Sequence, residues 1–303
     1  MDSPSFSVVI PTYNRAALLP KTLATVFAQR YPAKEILIVD NCSTDNTEEM
    51  LRPLVDAGKV RYIRHDKNYE RARSRNTGME HATGDYVTLL DSDDLMYPDN
   101  LADAAAFVRS QHRVKFFHNL YELVDATGRK LHSYRFPSMN DPHRSIIEGN
   151  YLSCIGVFIQ REIYSAYRFD TDPRLTGSED WEFWLRISAD YIPRRIAKVN
   201  SGIVHHGGRT VVDVNLPALQ QRLQLVRDKI LRDDHLRHVY GRLLGRLDAA
   251  SLTYLGTVAN SALRFKEARG FLRQAFRKDR GVVFRQNFLR SLRIALFEIN
   301  KGI

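Results

Sequence analysis

The chain has 303 residues, of which 44% are hydrophobic and 26% charged, a composition typical of a globular protein and unlike that of a collagen-like or disordered chain. Its two cysteines, Cys42 and Cys154, form no CxxC pattern, which argues against a disulfide scaffold and a cysteine-ligated zinc site. The net charge of +10 is carried by residues 217–303, with 18 basic and 7 acidic residues, while residues 1–216 are nearly neutral. This asymmetry predicts two regions, 1–216 and 217–303, with different surfaces.

Short apolar runs alternate with helical patterns along the first part of the chain. The patterns predict buried strands at 6–10, 35–39, 60–64 and 86–90, helices at 16–29, 70–82 and 98–111, and a capped helix start at 43–50. Strands that alternate with helices pair in parallel through crossover connections. The region therefore reads as an α/β domain with a mostly parallel sheet.

Each of the four predicted strands is followed at once by polar residues, which begin at Thr12, Asp40, His65 and Asp91. In open parallel sheets the ligand lies beyond the carboxyl ends of the strands. We therefore expect the four segments to converge on one crevice. The first glycine of the chain is Gly58, so the first strand is followed by neither a dinucleotide-binding GxGxxG loop nor a Walker loop.

The triplet Asp91-Ser92-Asp93 is a candidate metal site. In an extended segment residues i and i+2 point the same way, so both carboxylates face one point at the end of a buried strand. Hard oxygen ligands of this kind suit Mg²⁺ or Mn²⁺ that bridges a diphosphate. A second candidate ligand is an imidazole of the pair His205-His206.

Residues 179–186 read EDWEFWLR and predict an amphipathic helix that contains both tryptophans of the chain. Glu179 and Asp180 open this helix, where the helix dipole favours acidic residues. They are either ordinary capping residues or a carboxylate base held at the start of a helix.

Further along, residues 118–136 predict a β-hairpin around Ala126–Gly128, and 151–160 a buried strand. The C-terminal region shows apolar stripes over 268–276 and 284–299, which predict two antiparallel helices. Its basic residues predict either a helical appendage packed on the first region or a peripheral contact with an anionic membrane. No apolar run approaches the length of about 20 residues that spans a bilayer. We therefore expect a cytoplasmic protein, either free or in peripheral contact with the inner face of the membrane.

Five strings in order resemble one family: SVVIPTYNR, EILIVDNCSTDNTEE, RARSRNTG, GDYVTLLDSDD and SEDWEFWLR. They look like family 2 of the inverting glycosyltransferases, over roughly residues 5–210. The resemblance implies the GT-A fold, a central, mostly parallel but mixed sheet flanked by helices, here followed by a C-terminal all-α region.

The resemblance also implies roles for the residues that match the motifs. Those expected to bind the nucleotide sugar are Pro11, Thr12, Tyr13, Arg15, Asp40, Asn41, Asn68, Arg75, Asn76, Asp91 and Ser92. Asp93, Asp91 and His206 would hold Mn²⁺ or Mg²⁺, with His205 as the alternative histidine. Asp180 would be the catalytic base, oriented by Glu179, and Trp181 would contact the acceptor.

Two positions depart from the family's usual pattern. Asn41 stands where an aspartate is usual, and Glu70 stands where a glycine often precedes the Arg-Asn segment. The QxxRW motif of processive synthases is absent, which favours transfer of a single sugar.

The sequence thus predicts an inverting, metal-dependent glycosyltransferase of bacterial surface-glycan type. The expected donor is a UDP-sugar, with dTDP-rhamnose as an alternative, and the acceptor a glycan or a lipid-linked hydroxyl. No nucleic-acid partner is expected, because no recognition module is visible. The alternatives are a catalytically silent nucleotide-sugar or glycan-binding module, which would lack Asp93 or Asp180, and a nucleotidyltransferase, which would need a glycine-rich basic loop after the first strand.

Overall fold

The computed structural model describes residues 3–111, 114–205 and 215–298. The described residues group into two compact units. The first lies within Met1–Met139, Leu152–Pro173 and Asp190–Arg209, and the second within Asn140–Tyr151, Arg174–Ala189 and Thr210–Ile303. The division of the chain after residue 216 stays a prediction. The boundaries of the compact units differ from it, because segments around residues 145 and 180 group with the C-terminal helices.

The strands and helices alternate along the first half of the chain, as the sequence predicts. The strands are β1 (Phe6–Thr12), β2 (Glu35–Asp40), β3 (Arg61–Arg64), β4 (Tyr86–Leu89), β5 (Leu95–Met96), β6 (Phe116–Val124), β7 (Lys130–Ser133), β8 (Val157–Gln160) and β9 (Arg194–Val204). The helices are α1 (Leu19–Phe27), α2 (Thr47–Asp56), α3 (Arg71–His81), α4 (Asn100–Ser110), α5 (Pro142–Ile147), α6 (Arg161–Ala166), α7 (Glu179–Asp190), α8 (Leu216–Arg232), α9 (Asp234–Tyr240), α10 (Leu244–Ser261), α11 (Phe265–Lys278) and α12 (Gln286–Phe297).

The first unit is built on one mixed sheet with the order β3-β2-β1-β4-β8-β6-β9-β5, and β7 pairs with the outer part of β6. The pairs β1–β2, β2–β3 and β1–β4 are parallel, which confirms the crossover connections expected from the alternating pattern. Strand β8 runs antiparallel to both of its neighbours and makes the sheet mixed. Every residue of β1 is buried, because helices cover both faces of a parallel sheet.

Pro11 lies inside β1, where a residue without an N–H group removes no ladder hydrogen bond. The Val9 carbonyl accepts from Leu90 N on the β4 side, and the register with β4 ends at Val9. Alternation along the strand turns Pro11 to the same side, beyond the last paired residue. The pairing of β1 with β2 continues as far as Thr12, whereas its pairing with β4 ends at Val9. The strand order also changes direction between β1 and β4, which is where ligands bind in open α/β sheets.

Two other predictions for the first unit have opposite outcomes. The hairpin is confirmed, with Glu122 opposite Ser133. The strand predicted for 151–160 is wrong in its first half, since β8 begins only at Val157. Gly156 has φ +73°, and a Cβ there would lie 2.0 Å from Asn119 Oδ1, so this backbone cannot continue as a strand. Its apolar neighbours are buried in irregular backbone instead.

The second unit is helical. The two predicted C-terminal helices are confirmed as α11 and α12, whose buried positions include Leu272 and Phe288. Helix α10 packs closely on α11, because Gly256 leaves room for the Leu272 side chain. Glu148 forms ion pairs with Arg246 and Arg285 at 3.0 Å each. These ion pairs connect the segment after α5 to the C-terminal helices. None of the helices in the described ranges is both long and apolar enough to cross a membrane.

Candidate active site

The carboxyl ends of β1 to β4 bring together the polar segments that the sequence placed after them. Asn41 N donates to Thr12 O at 2.8 Å, and His65 N donates to Asp40 O at the same distance. The parallel register carries the ends of β1 and β2 to one edge, with Thr12 opposite Asp40. The expected convergence of these segments is therefore confirmed.

The two aspartates of the metal motif each face an arginine. Asp91 Oδ1 lies 3.0 Å from Arg75 Nη2, and Asp93 Oδ2 lies 3.4 Å from Arg15 Nη2. Arg75 is 2% exposed and stacks on the Phe169 ring at 5.5 Å, whereas the two aspartates are 31% and 18% exposed. A buried guanidinium paired with a partly exposed carboxylate suits the binding of a phosphate or a sugar hydroxyl.

Asp91 and Asp93 fit a divalent cation by their chemistry, since both are hard oxygen ligands with solvent-facing carboxylates. Within the described ranges, no group of three or more histidine, cysteine, aspartate or glutamate side chains could hold a metal. His206 lies outside the described residues. The strand that leads to it is anchored beside the motif, because Val204 N donates to Asp94 Oδ1 at 2.9 Å and His205 N to Val124 O at 2.7 Å.

Asp40 is fully buried at the end of β2. Its Oδ1 accepts from Ser43 N at 2.9 Å and from Ser43 Oγ at 2.6 Å, and its Oδ2 accepts from Tyr62 Oη at 2.5 Å. Burial and the bond to Asp40 raise the pKa of the Tyr62 hydroxyl well above its usual value. A carboxylate has about four acceptor positions, so Asp40 has room for one more donor.

Asn41 joins β2 to the loop that follows β3. Its Nδ2 donates to Asn68 Oδ1 at 2.7 Å and to Tyr69 O, and its Oδ1 accepts from Tyr69 N at 2.9 Å. His65 Nδ1 lies 3.1 Å from the same Oδ1, and burial and Arg73 lower the pKa of His65. The Asn41 amide therefore holds the loop after β3 through hydrogen bonds to Asn68 and Tyr69. An aspartate could not make the two bonds that Nδ2 donates, because a carboxylate has no N–H.

The other residues expected to bind the donor differ in exposure. Asn76 is buried and exchanges hydrogen bonds with Phe169, whose O and N lie 2.9 Å and 2.8 Å from its amide atoms. Ser92 is buried, whereas Tyr13, next to Pro11 and Thr12, is 41% exposed. The Thr12 hydroxyl is buried, and no described residue hydrogen-bonds to it. A buried hydroxyl of this kind calls for a ligand or a water.

The second unit presents Asp180 at the start of α7. Its Oδ1 accepts from Trp181 N at 2.8 Å, and its Oδ2 accepts from Asn150 Nδ2 at 2.9 Å. Glu179 is buried and accepts from Gly177 N at 2.6 Å. Trp181 is 5% exposed and its ring N–H donates to Ile146 O at 2.7 Å, so little of this residue is open to the predicted acceptor contact.

Two residues that contact the predicted site residues, Asn150 and Phe169, are not indicated by any sequence motif. Asn150 lies 30 positions before the aspartate it contacts, and Phe169 lies 93 positions after Asn76. Neither belongs to a motif, so no local signal in the sequence points to them. Long-range contacts of this kind appear only in the folded chain.

The family model described as glycosyl transferase family 2 matches residues 7–172. The chain belongs to glycosyl transferase family 2. An uncharacterized glycosyltransferase of Haemophilus influenzae is 30% identical over 186 residues, which are 61% of this chain and 72% of that relative. An uncharacterized glycosyltransferase of Rickettsia felis is 35% identical over 127 residues, 42% of this chain, but the match spans only 21% of that longer protein.

Solved structures confirm the GT-A fold for this family 2 chain. A crystal structure of residues 1–349 of Staphylococcus aureus TarS in complex with UDP-GlcNAc has a TM-score of 0.66 at 19% identity and covers 98% of this chain and 93% of that one. The mannosyltransferase PcManGT of Pyrobaculum calidifontis, in complex with GDP-Man and Mn²⁺, has a TM-score of 0.60 at 19% identity and covers 98% and 88%. The fold class predicted from the sequence and the expected glycosyl-transfer activity are both confirmed.

Proposed function

We propose that the chain is an inverting, metal-dependent glycosyltransferase that moves one sugar from a nucleotide-diphosphate donor to a hydroxyl group. The acceptor in this proposal is a glycan or a lipid-linked saccharide. Residues 1–216 would form the catalytic domain, and the cytoplasmic location stays a prediction. The observation that carries the proposal is the edge of β1 to β4, where Thr12 ends β1, Asp40 ends β2 and Asp91 follows β4 at the switch point of the sheet.

On the donor side, the proposal assigns the base and ribose to the ends of β1 and β2. The orphaned Thr12 hydroxyl and the remaining acceptor position of Asp40 support this assignment. Hydrogen-bond acceptors at this point suit a ring N–H of uracil or thymine, so a UDP-sugar is favoured and dTDP-rhamnose remains the alternative. The relatives in complex with UDP-GlcNAc and with GDP-Man support a nucleotide-sugar donor without deciding the base.

The diphosphate and the transferred sugar would meet Arg15, Arg75 and the two aspartates. Asp91 and Asp93, with His206 as the expected third ligand, would hold Mn²⁺ or Mg²⁺, which as a Lewis acid neutralises charge on the departing diphosphate. Arg75, fixed by Phe169 and Asp91, would hold a donor oxygen in one position. Its rigidity favours transfer, because no side chain needs to reorganise as the bond breaks.

On the acceptor side, we propose Asp180 as the general base. The carboxylate would take the proton of the acceptor hydroxyl as that oxygen attacks the anomeric carbon from the face opposite the leaving group. A single displacement inverts the configuration and needs no enzyme nucleophile. The bonds from Trp181 N and Asn150 Nδ2 support the proposal, since they fix the orientation of the carboxylate.

The test is a thermal-shift panel of nucleotide sugars with and without Mn²⁺, followed by analysis of the product. A ligand that binds only the folded state raises its stability, by about 2.7 kcal/mol at 100 times Kd. We expect one nucleotide to stabilise the chain more in the presence of Mn²⁺, and the product to have the opposite anomeric configuration to the donor. Stabilisation without transfer to any acceptor of a glycan library would favour the silent module. Transfer with retention would refute the proposed mechanism.

A further inference from the structure

Among the large apolar side chains of the described residues, those with the highest exposed fractions lie in one stretch of the second unit. Those that are at least half exposed are Leu263, Phe284, Leu289, Leu296 and Phe297, at 50% to 88%. Single exposed apolar residues are ordinary, but several of them on one surface mark a site of interaction with a partner or a membrane.

Three of these side chains share one face of α12. The buried side of the helix is formed by Phe288, Ser291 and Ala295. At 100° per residue, Leu289, Leu296 and Phe297 lie about 80° to 180° around the helix from Phe288. The helix is therefore apolar on its packed side and again on its exposed side.

Arginines lie between the exposed apolar residues. Arg290 and Arg293 are exposed; Arg293 falls within the same arc and Arg290 lies about 20° beyond its edge, so the α12 face consists of Leu289, Arg290, Arg293, Leu296 and Phe297. The helix has no acidic residue from Gln286 to Phe297. Residues 264–297 hold ten basic and two acidic residues, so the charge around the face is strongly positive.

We propose that the α12 face docks on an anionic lipid surface. Leucine and phenylalanine would enter the boundary between headgroups and acyl chains, while the arginines extend along them to reach lipid phosphates. The charge favours this occupant, because arginines among apolar side chains, on a helix without acidic residues, are complementary to the anionic headgroups at a lipid surface. The proposal is independent of the transfer reaction.

The test is co-sedimentation of the full chain with vesicles, which reads binding and not transfer. We expect binding to vesicles that contain phosphatidylglycerol, weaker binding to pure phosphatidylcholine, and loss of binding as the ionic strength rises. The triple variant Leu289→Ser, Leu296→Ser, Phe297→Ser should bind at least about tenfold more weakly, and Arg290→Gln with Arg293→Gln about tenfold more weakly.

Matched control variants separate the face from general changes in apolarity and charge. Phe27→Ser with Ile192→Ser removes apolar groups of similar exposure from the first unit, and Lys59→Gln with Arg109→Gln removes two exposed positive charges there. Both controls should bind vesicles like the wild type. The substituted side chains on α12 are exposed, so the circular dichroism and melting temperature of the variants should be unchanged.

Three results would overturn the proposal. The first is a wild type that does not bind anionic vesicles, and the second is binding that the α12 variants leave unchanged. The third is a lipid-free oligomer that the triple serine variant dissociates, which would make the face an interface between copies of the chain.

Discussion

The edge of β1 to β4 and the exposed side of α12 are both rich in arginine, but they use it in different ways. At the edge, Arg15 and Arg75 each face an aspartate, and Arg75 is almost completely buried. On α12, Arg290 and Arg293 are exposed among apolar side chains. A buried arginine held by a carboxylate and an aromatic ring, as Arg75 is, has one position and suits recognition of a defined ligand. An exposed arginine on a helix is adaptable and suits a surface without fixed geometry.

The strongest test of the assigned chemistry is Asp180→Asn, which keeps the shape of the side chain and removes its basicity. We expect transfer to fall by about 10²–10⁴-fold, because proton abstraction contributes that much, while binding of the nucleotide changes little. Initial rates and nucleotide titration measure the two effects. Asp234→Asn, at the exposed start of α9, is the matched control and should leave both unchanged. Equal loss of binding and transfer would make Asp180 a structural residue.

The second test concerns the aspartates at the edge of the sheet. Chelation with EDTA should remove activity, and Mn²⁺ or Mg²⁺ should restore it, because the carboxylates Asp91 and Asp93 are hard oxygen ligands. Asp93→Asn should reduce metal-dependent nucleotide binding measured by calorimetry. Asp99→Asn is the matched control, since Asp99 also pairs with an arginine, Arg30, at 2.8 Å, and it should leave nucleotide binding unchanged. Activity that survives chelation would refute the metal role.

The third test separates support from ligand binding at Asn76. The Asn76→Ala variant would leave the buried N and O of Phe169 without their partners, and we expect a loss of about 3 kcal/mol in the free energy of unfolding. Urea denaturation measures this loss. Asn46→Ala, at an exposed position without a side-chain cap bond, should cost much less. If Asn76→Ala instead kept its stability and weakened nucleotide binding, the residue would be a direct donor contact.

The fourth test uses His118, which is buried in β6 beside Arg195. Burial first, and then Arg195, lower its pKa to about 3, so the folded state resists a proton that the unfolded state takes up near pH 6.5. The free energy of unfolding therefore decreases as the pH falls below about 6.5, and the decrease reaches about 2 kcal/mol at pH 5. His118→Asn should flatten this dependence in urea denaturation at several pH values. A variant with the same acid slope as the wild type would exclude His118 as its source.

Local patterns in the sequence predicted most of the first unit. Continuous apolar runs predicted the buried strands, and their alternation with helices predicted the parallel pairs, because crossover connections demand them. The failure at 151–156 shows the limit of this reasoning. Buried apolar residues there have the composition of a strand, but the left-handed backbone of Gly156 and its close approach to Asn119 depend on tertiary packing.

The candidate site divides in the same way. Local patterns specify the residue types of the site and the edge at which they meet, since the carboxyl ends of parallel strands lie together. The contacts of each side chain at that edge depend on the folded chain. Asn41 and Asn76 bond within the fold, whereas the carboxylates of Asp91 and Asp93 stay partly exposed. Hydrogen-bond partners such as Phe169 come from distant parts of the chain, and no local pattern encodes those distances.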